Sequence, residues 1–337
     1  MEKNVSIILP VYNAYDGLFR CLKSIIGQTF KNFEIICINS ASSDLSLDVL
    51  ESFSKKESRI KIINKINEGA GAALNTGINA SEGEYLLLAE PFDFYHKKTL
   101  ENLYKLARQS EADIVKSPYT KFIDVESKIK GKYELLDSVK WNKRCKIPNW
   151  FFRINESPSF LSFHPAIFAT LYKKSFLNNS SIRFVETRGQ NFPTNSFIDF
   201  PFYIETMLLA KKIVYTDNIY SYHRKAEFDF QNLEECISPF DRIEEVFEIL
   251  AVQKIKDKNV ISNVYKRALK LINLVFERLD EENKFDVKSM PYEIQLRIEK
   301  VISLMDEDII NSSLFIDDFE RRFFNLLAPD KLIQKGF

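Results

Sequence analysis

The sequence predicts an α/β fold, a mostly parallel sheet flanked by helices, with a C-terminal helical appendage. Strand-like apolar runs alternate with helix-length segments from residue 5 to 116, as in chains that build parallel sheets. Polar and small residues gather where those runs end, which is where open α/β sheets bind ligands. Beyond residue 226 the apolar positions recur every three or four residues, the period of amphipathic helices.

The first strand, Val5-Ser6-Ile7-Ile8-Leu9, runs directly into Pro10-Val11-Tyr12-Asn13, and a helix is expected over about 16–26. A second strand, 33–38, ends in the polar cluster Asn39-Ser40-Ala41-Ser42-Ser43-Asp44, which also opens a helix over about 45–56. A short strand at 60–63 leads into the Gly-bearing turn 64–71, then a small-residue helix over 72–80. The apolar run 84–89 reads as a buried central strand whose carboxyl end carries Glu90-Pro91-Phe92-Asp93. A helix over 98–109 and a strand at 113–116 extend the sheet. Residues 119–155 are charged and aromatic without a clear period, as in an insertion facing substrate. Order is expected again at 166–177 and 182–184, in a helix running to about 211, and in strands at 213–215 and 219–222, followed by His223 and Arg224. The expected organisation is one domain over 1–225, divided into halves 1–118 and 119–225, and a helical region over 226–337. In that region Ile243, Val246, Phe247 and Leu250, then Val264, Ala268, Leu271, Val275 and Leu279, then Ile294, Ile298, Val301 and Met305, form three stripes. They read as core or interface first, with membrane-surface contact as the lesser alternative.

At 337 residues and 45% hydrophobic, the chain can bury a large core. Its 47 basic and 47 acidic residues balance, so no global charge argues for nucleic acid as partner. No apolar run approaches the ~20 residues needed to span a bilayer, and the amino terminus has no signal-peptide pattern. Cys21, Cys37, Cys145 and Cys236 show no close pair or metal-ligand spacing, so buried free thiols in a reducing cytoplasm are expected. The heavy use of Lys, Ile, Asn and Phe fits an AT-rich microbial genome.

Val5 to Asn13, Cys21-Leu22-Lys23-Ser24-Ile25-Ile26-Gly27-Gln28-Thr29-Phe30, Glu34-Ile35-Ile36, Asn67-Glu68-Gly69, Asn75-Thr76-Gly77 and Gly83-Glu84-Tyr85 occur in this order. Together they closely resemble the family 2 glycosyltransferases, over roughly residues 5–225. The resemblance implies a GT-A fold, a nucleotide-sugar donor (a UDP-sugar before others) and inversion at the anomeric carbon. It also implies a divalent metal, Mg²⁺ or Mn²⁺, and a surface-glycan or lipid-linked acceptor. Residues 1–118 then become the nucleotide-sugar-binding half and 119–225 the acceptor-binding half. A cytoplasmic protein is implied, with contact at the inner face of the membrane and self-association through the helical tail as further options. Three positions depart from the family pattern. Asn39 and Ser40 stand where acidic residues are usual, Leu74 where an Arg is usual, and Phe92 where the main acidic metal ligand is usual. These departures also motivate an alternative function, a transferase fold kept as a binding or scaffolding subunit.

Glycosyl transfer builds negative charge on the departing phosphate, and a cation held by carboxylates ordinarily meets it. Glu90 and Asp93 are the candidate ligands, if a turn at Pro91 aims both into one cleft. The alternatives are that Asp93 caps the following helix and that Glu90 is a solvated rim residue. His223 or Arg224 offers compensating charge; a hydrogen-bonded surface histidine is the plainer reading of His223. The acceptor hydroxyl needs a base, and Asp199, in Asp199-Phe200-Pro201-Phe202, matches the family's acidic residue. Its apolar neighbours would raise its pKa toward a useful range, and a helix N-cap role is compatible. For the donor, Pro10, Val11, Tyr12, Asn13 and Asn39 are expected around the base, with Tyr12 stacked on it or, alternatively, in the core. Asn67 and Gly71 are expected near the ribose and diphosphate, with Glu90 beside them. Ala73 and Leu74 read as helix packing, and His96 and His164 as structural.

Overall fold

A computed structural model of the chain describes residues 3–124, 133–139, 150–162, 166–168, 170–186, 197–225, 233–279, 290–310 and 312. Cys145 and His164 lie outside the described residues. The chain divides into two compact units: residues 1–153, 166–195 and 208–227 in the first, and 154–165, 196–207 and 228–337 in the second. The sequence places a boundary at 225/226, next to the break at 227/228. It gives no sign that 154–165 and 196–207 group with the helical tail.

The first unit opens with β1 (Val5–Val11), α1 (Tyr15–Ile26), β2 (Phe33–Ser40), α2 (Ser46–Ser54), β3 (Ile60–Lys65), α3 (Ala70–Ala80) and β4 (Tyr85–Leu88). It continues with β5 (Phe94–Tyr95), α4 (Thr99–Ser110), β6 (Ile114–Lys116), β7 (Tyr119–Asp124), β8 (Tyr133–Val139) and β9 (Trp150–Phe152). After β10 (Thr170–Lys173) and α5 (Lys174–Asn179) come α6 (Asp199–Leu209), whose residues 199–207 belong to the second unit, then β11 (Ile213–Tyr215) and β12 (Ser221–Arg224). Eight strands form a mixed sheet in the order β3-β2-β1-β4-β10-β6-β11-β9. β10 is antiparallel to both β4 and β6, whereas β3, β2, β1 and β4 run parallel. The inner strands β1, β2 and β4 are mostly apolar and almost wholly buried, as expected of parallel strands covered on both faces.

The described residues within 119–155 (119–124, 133–139 and 150–155) correct the expectation of a loose insertion. β7 and β8 join β5 and β12 in a second, four-stranded sheet, and β9 closes an edge of the first. Aromatic residues broke up the simple alternation there, and β5 and β12 are too short to show a period. His223 and Arg224 lie within β12 rather than after it.

Several polar residues in the family-like motifs hold this frame together. Ser6 Oγ donates to Glu34 Oε1 (2.6 Å), as does the Glu82 backbone N–H (2.7 Å), while Gly83 N–H donates to Ser6 Oγ (2.8 Å). Gln28 Nε2 donates to the Ser24 and His96 carbonyls and its Oε1 accepts from Leu100 N–H, which ties the end of α1 to the start of α4. His96 is thus part of a structural turn. These groups are shut away from water and would be costly to leave unpaired.

The second unit contains α7 (Leu233–Val252), α8 (Lys258–Leu279), α9 (Tyr292–Ser303) and α10 (Glu307–Ile310), with short 3-10 turns at 154–156 and 158–162. The stripes read from the sequence are its core: Ile243, Val246, Phe247, Leu250, Val264, Ala268, Leu271, Val275, Ile294, Ile298, Val301 and Met305 are all buried. Among the described residues no helix is long and apolar enough to cross a membrane. Cys21, Cys37 and Cys236 are buried free thiols.

Candidate functional site

β1 and β2 pair in parallel with Val11 opposite Asn39, so their carboxyl ends open side by side. A shallow recess, open to solvent, lies there, lined by Pro10, Val11, Tyr12, Ser40, Asn67, Gly69, Ala70 and Ala73. Gly69 takes φ 89°, a left-handed conformation natural only to glycine, and precedes α3. The first turn of α3 therefore borders the recess, and the free N–H groups of a helix start favour anions. Asn67 Oδ1 accepts from Gly69 N–H (3.0 Å) and holds that turn.

Pro10, Val11, Tyr12 and Asn67 thus line the recess, and Ser40, Gly69, Ala70 and Ala73 line it with them. The Asn-Glu-Gly run ahead of a helix was the sequence signal for Gly69 and Ala70. Ala73, read from the sequence as packing, faces the recess, whereas Leu74 is buried. Three expected donor contacts have other duties. Asn13, at φ 46°, accepts from Ser43 N–H (2.8 Å), and its own N–H donates to Ser42 Oγ (3.2 Å), joining the ends of β1 and β2. Asn39 Nδ2 donates to Asn64 Oδ1 (3.0 Å) and its Oδ1 accepts from Ser42 N–H (3.3 Å), so both ends of the amide are engaged within the frame.

Gly71 packs closely against protein: a Cβ there would lie 2.1 Å from the Val185 carbonyl oxygen. Asn75 clasps the same segment, donating to Phe184 O (2.9 Å) and accepting from Phe184 N–H (2.9 Å). Gly71→Ala is expected to destabilise the protein by about 1–3 kcal/mol through overpacking, read as a lower urea midpoint. An unchanged midpoint would mean that the 184–186 segment yields freely.

At the carboxyl end of β4, Asp93 N–H donates to Glu90 O (3.1 Å), closing a turn through Pro91. One carboxylate oxygen each of Glu90 and Asp93 and a ring nitrogen of His223 lie within 4.8 Å of one another. Asp93 is fully buried and accepts from His223 Nδ1 at 3.0 Å and from Arg224 N–H at 3.1 Å. It does not cap α4, where Lys98 takes the N-cap place without a side-chain bond. Glu90 Oε2 is 3.6 Å from His223 Nδ1.

His223 is not a plain surface histidine. Its ring stacks on Phe168 at 4.1 Å and meets Tyr119 edge-on at 5.8 Å. Burial pulls its pKa down, but the charges of Asp93 and Glu90 and the Asp93 hydrogen bond more than reverse this, raising it from 6.5 to about 9. Phe92 packs against the apolar core of the first unit, with the Arg224 guanidinium 5.3 Å from its ring centroid, and does not line the recess. Two carboxylates and an imidazole suit a divalent cation that accepts both oxygen and nitrogen, Mn²⁺ better than Mg²⁺.

Asp199 begins α6 in the second unit, between buried Ile198 and Phe200. Phe200 N–H donates to Phe197 O (3.0 Å), and Phe197 holds φ 55°.

The parallel inner strands, the recess at their carboxyl ends and the helical C-terminal region define a GT-A type of nucleotide-sugar transferase fold. The model of Glycosyl transferase family 2 matches residues 6–179, and the chain belongs to that family. It is 25% identical over 254 residues to the glycosyltransferase GlyG of Streptococcus pneumoniae, covering 72% of this chain and 80% of GlyG. It is 37% identical over 126 residues to the glycosyltransferase GlyA of the same organism, covering 37% of this chain but only 18% of GlyA. In fold it is similar to S. aureus TarS 1–349 in complex with UDP, with a TM-score of 0.68 at 16% identity, covering 99% of this chain and 93% of that one. The mannosyltransferase PcManGT of Pyrobaculum calidifontis, in complex with GDP-Man and Mn²⁺, matches with a TM-score of 0.52 at 12% identity, over 100% and 89% of the two chains.

Proposed function

We propose that the chain is an inverting glycosyltransferase that moves a sugar from a nucleoside diphosphate to a hydroxyl of a surface-glycan or lipid-linked acceptor, on the cytoplasmic side of the cell. The observation that carries this is the placement of the recess and the Glu90–Asp93 turn at the carboxyl ends of neighbouring parallel strands, with His223 of β12 meeting both carboxylates. β1 ends at the recess, β4 ends at the acidic turn, and the two strands pair directly. A nucleoside diphosphate would lie with its base beside Tyr12 and its phosphates toward Glu90 and Asp93. A UDP-sugar is favoured because the TarS fold has been seen with UDP and with UDP-GlcNAc.

Glu90, Asp93 and His223 would hold a divalent cation, which when bound supplies positive charge to the departing diphosphate. Tyr12 would orient the base, the start of α3 would receive phosphate oxygens, and Asp199 would take the proton of the attacking hydroxyl. Calorimetry with UDP, GDP and CDP, then sugar-transfer assays with Mn²⁺ or with chelator, tests the reading. A protein that binds none of these nucleotides would overturn it. Tyr12→Ala is expected to weaken UDP binding by about tenfold, the lower range of base stacking on an aromatic ring, with the urea midpoint unchanged. Equal affinity would place the base elsewhere.

A second reading, a scaffolding subunit that has lost catalysis, is favoured by two observations: Phe92 is committed to packing and Asn39 to the frame. Tight UDP binding with no turnover of any nucleotide sugar would support it.

A further inference from the structure

We propose that Lys121 is a donor-site cation whose ammonium group takes a phosphoryl oxygen of the bound nucleoside diphosphate; this rests on the donor reading above. β12 and β7 run parallel with His223 directly opposite Lys121, and residues paired in this way project from the same face of a sheet. On that face Tyr119 lies against the His223 ring, and Asp93 and Glu90 meet the same imidazole. Lys121 is the next side chain toward the rim, half-buried, and among the described residues it makes no ion pair or side-chain hydrogen bond. Surface lysines normally reach into water, and one held partly out of it without an anion is a standing cost. The ammonium group of Lys225 lies near that of Lys121 and adds to the positive charge there. Lys121 and Lys225 therefore place positive charge on the inner strands of the second sheet, beside the carboxylates of Glu90 and Asp93, which pair with His223 rather than with Lys121. Such a grouping is relieved by a dianionic ligand, and the phosphates of the donor are the anions the reaction brings here.

The test is titration of UDP and of uridine into the full-length protein and its Lys121→Ala and Lys121→Arg variants, in Mn²⁺ buffer. The alanine variant is expected to lose about tenfold or more in UDP affinity, as for a lost charge-assisted hydrogen bond. Uridine binding should stay unchanged, and the arginine variant should recover most of the UDP affinity. Unchanged UDP affinity in Lys121→Ala, with wild-type binding intact, overturns this proposal alone. So does an equal loss for UDP and uridine, which would mark a disturbed recess rather than a missing phosphate contact. A wild-type protein that binds no UDP overturns the donor reading, and this proposal with it.

Discussion

Asp199→Asn is expected to lower kcat for sugar transfer by about 10²–10⁴-fold, the usual worth of a positioned general base, while UDP affinity stays at the wild-type level. The asparagine variant is chosen because Asp199 is also the first residue of α6. Asparagine keeps the size and one acceptor oxygen of aspartate at that first helical position, whereas alanine keeps neither. A fold effect and a chemical effect are thereby separated. Loss of turnover in Asp199→Asn with an unchanged urea midpoint assigns the loss to the missing carboxylate. Loss in Asp199→Ala alone, with a lower midpoint, would assign Asp199 to the helix start and leave the base to be found elsewhere. Wild-type turnover in both variants would remove Asp199 from the mechanism. Donor hydrolysis without acceptor is a useful second readout, because water can replace the acceptor hydroxyl and still needs a base.

The sequence made the parallel half of the fold legible because its signals there are local. Continuous apolar runs ending in polar residues announced β1, β2 and β4, and the small-residue segment announced α3. The sequence also pointed to Pro10, Val11, Tyr12 and Asn67, since strand ends and helix starts are where such sheets open. It could not separate residues that border the recess from residues that build its walls. Asn13 and Asn39 have the same polar character as a ligand contact, yet their amides are satisfied by Ser42, Ser43 and Asn64. Gly71 looked like a glycine for close ligand approach and proves to admit the Val185 carbonyl. That partner is more than a hundred residues away, and no local pattern reports such a contact. The same holds for His223, whose meaning depends on Asp93 and on Phe168. The short strands of the second sheet were hidden because aromatic side chains occupy both of its faces, which erases alternation.

Asp93→Asn is expected to cost about 3 kcal/mol of folding stability near neutral pH and to flatten the pH dependence of unfolding. Removing one partner of a buried charged pair costs about 3–5 kcal/mol because the other is left uncompensated; here Glu90, 3.6 Å from the imidazole, offsets part of that. The sign of the pH effect follows from the direction of the shift. His223 titrates higher in the folded protein, at about 9, than the 6.5 of an unfolded chain. Its contribution is therefore fully present below about pH 6.5 and is lost as pH rises through about 9. A displacement of that size corresponds to about 3 kcal/mol. Urea unfolding with chelator present should then show the wild type losing stability between about pH 6.5 and 9, and the variant losing much less. Parallel curves for the two proteins would mean that the Asp93–His223 pair does not set the charge of the imidazole. The same proton opposes metal, because a histidine ligand must be neutral. Mn²⁺ affinity measured by calorimetry should accordingly rise with pH and release a proton, and Asp93→Asn should weaken it at every pH by removing a ligand charge. The site's positive charge would thus come from the imidazolium at low pH and from the metal at high pH, so a donor diphosphate would meet a cation across the range.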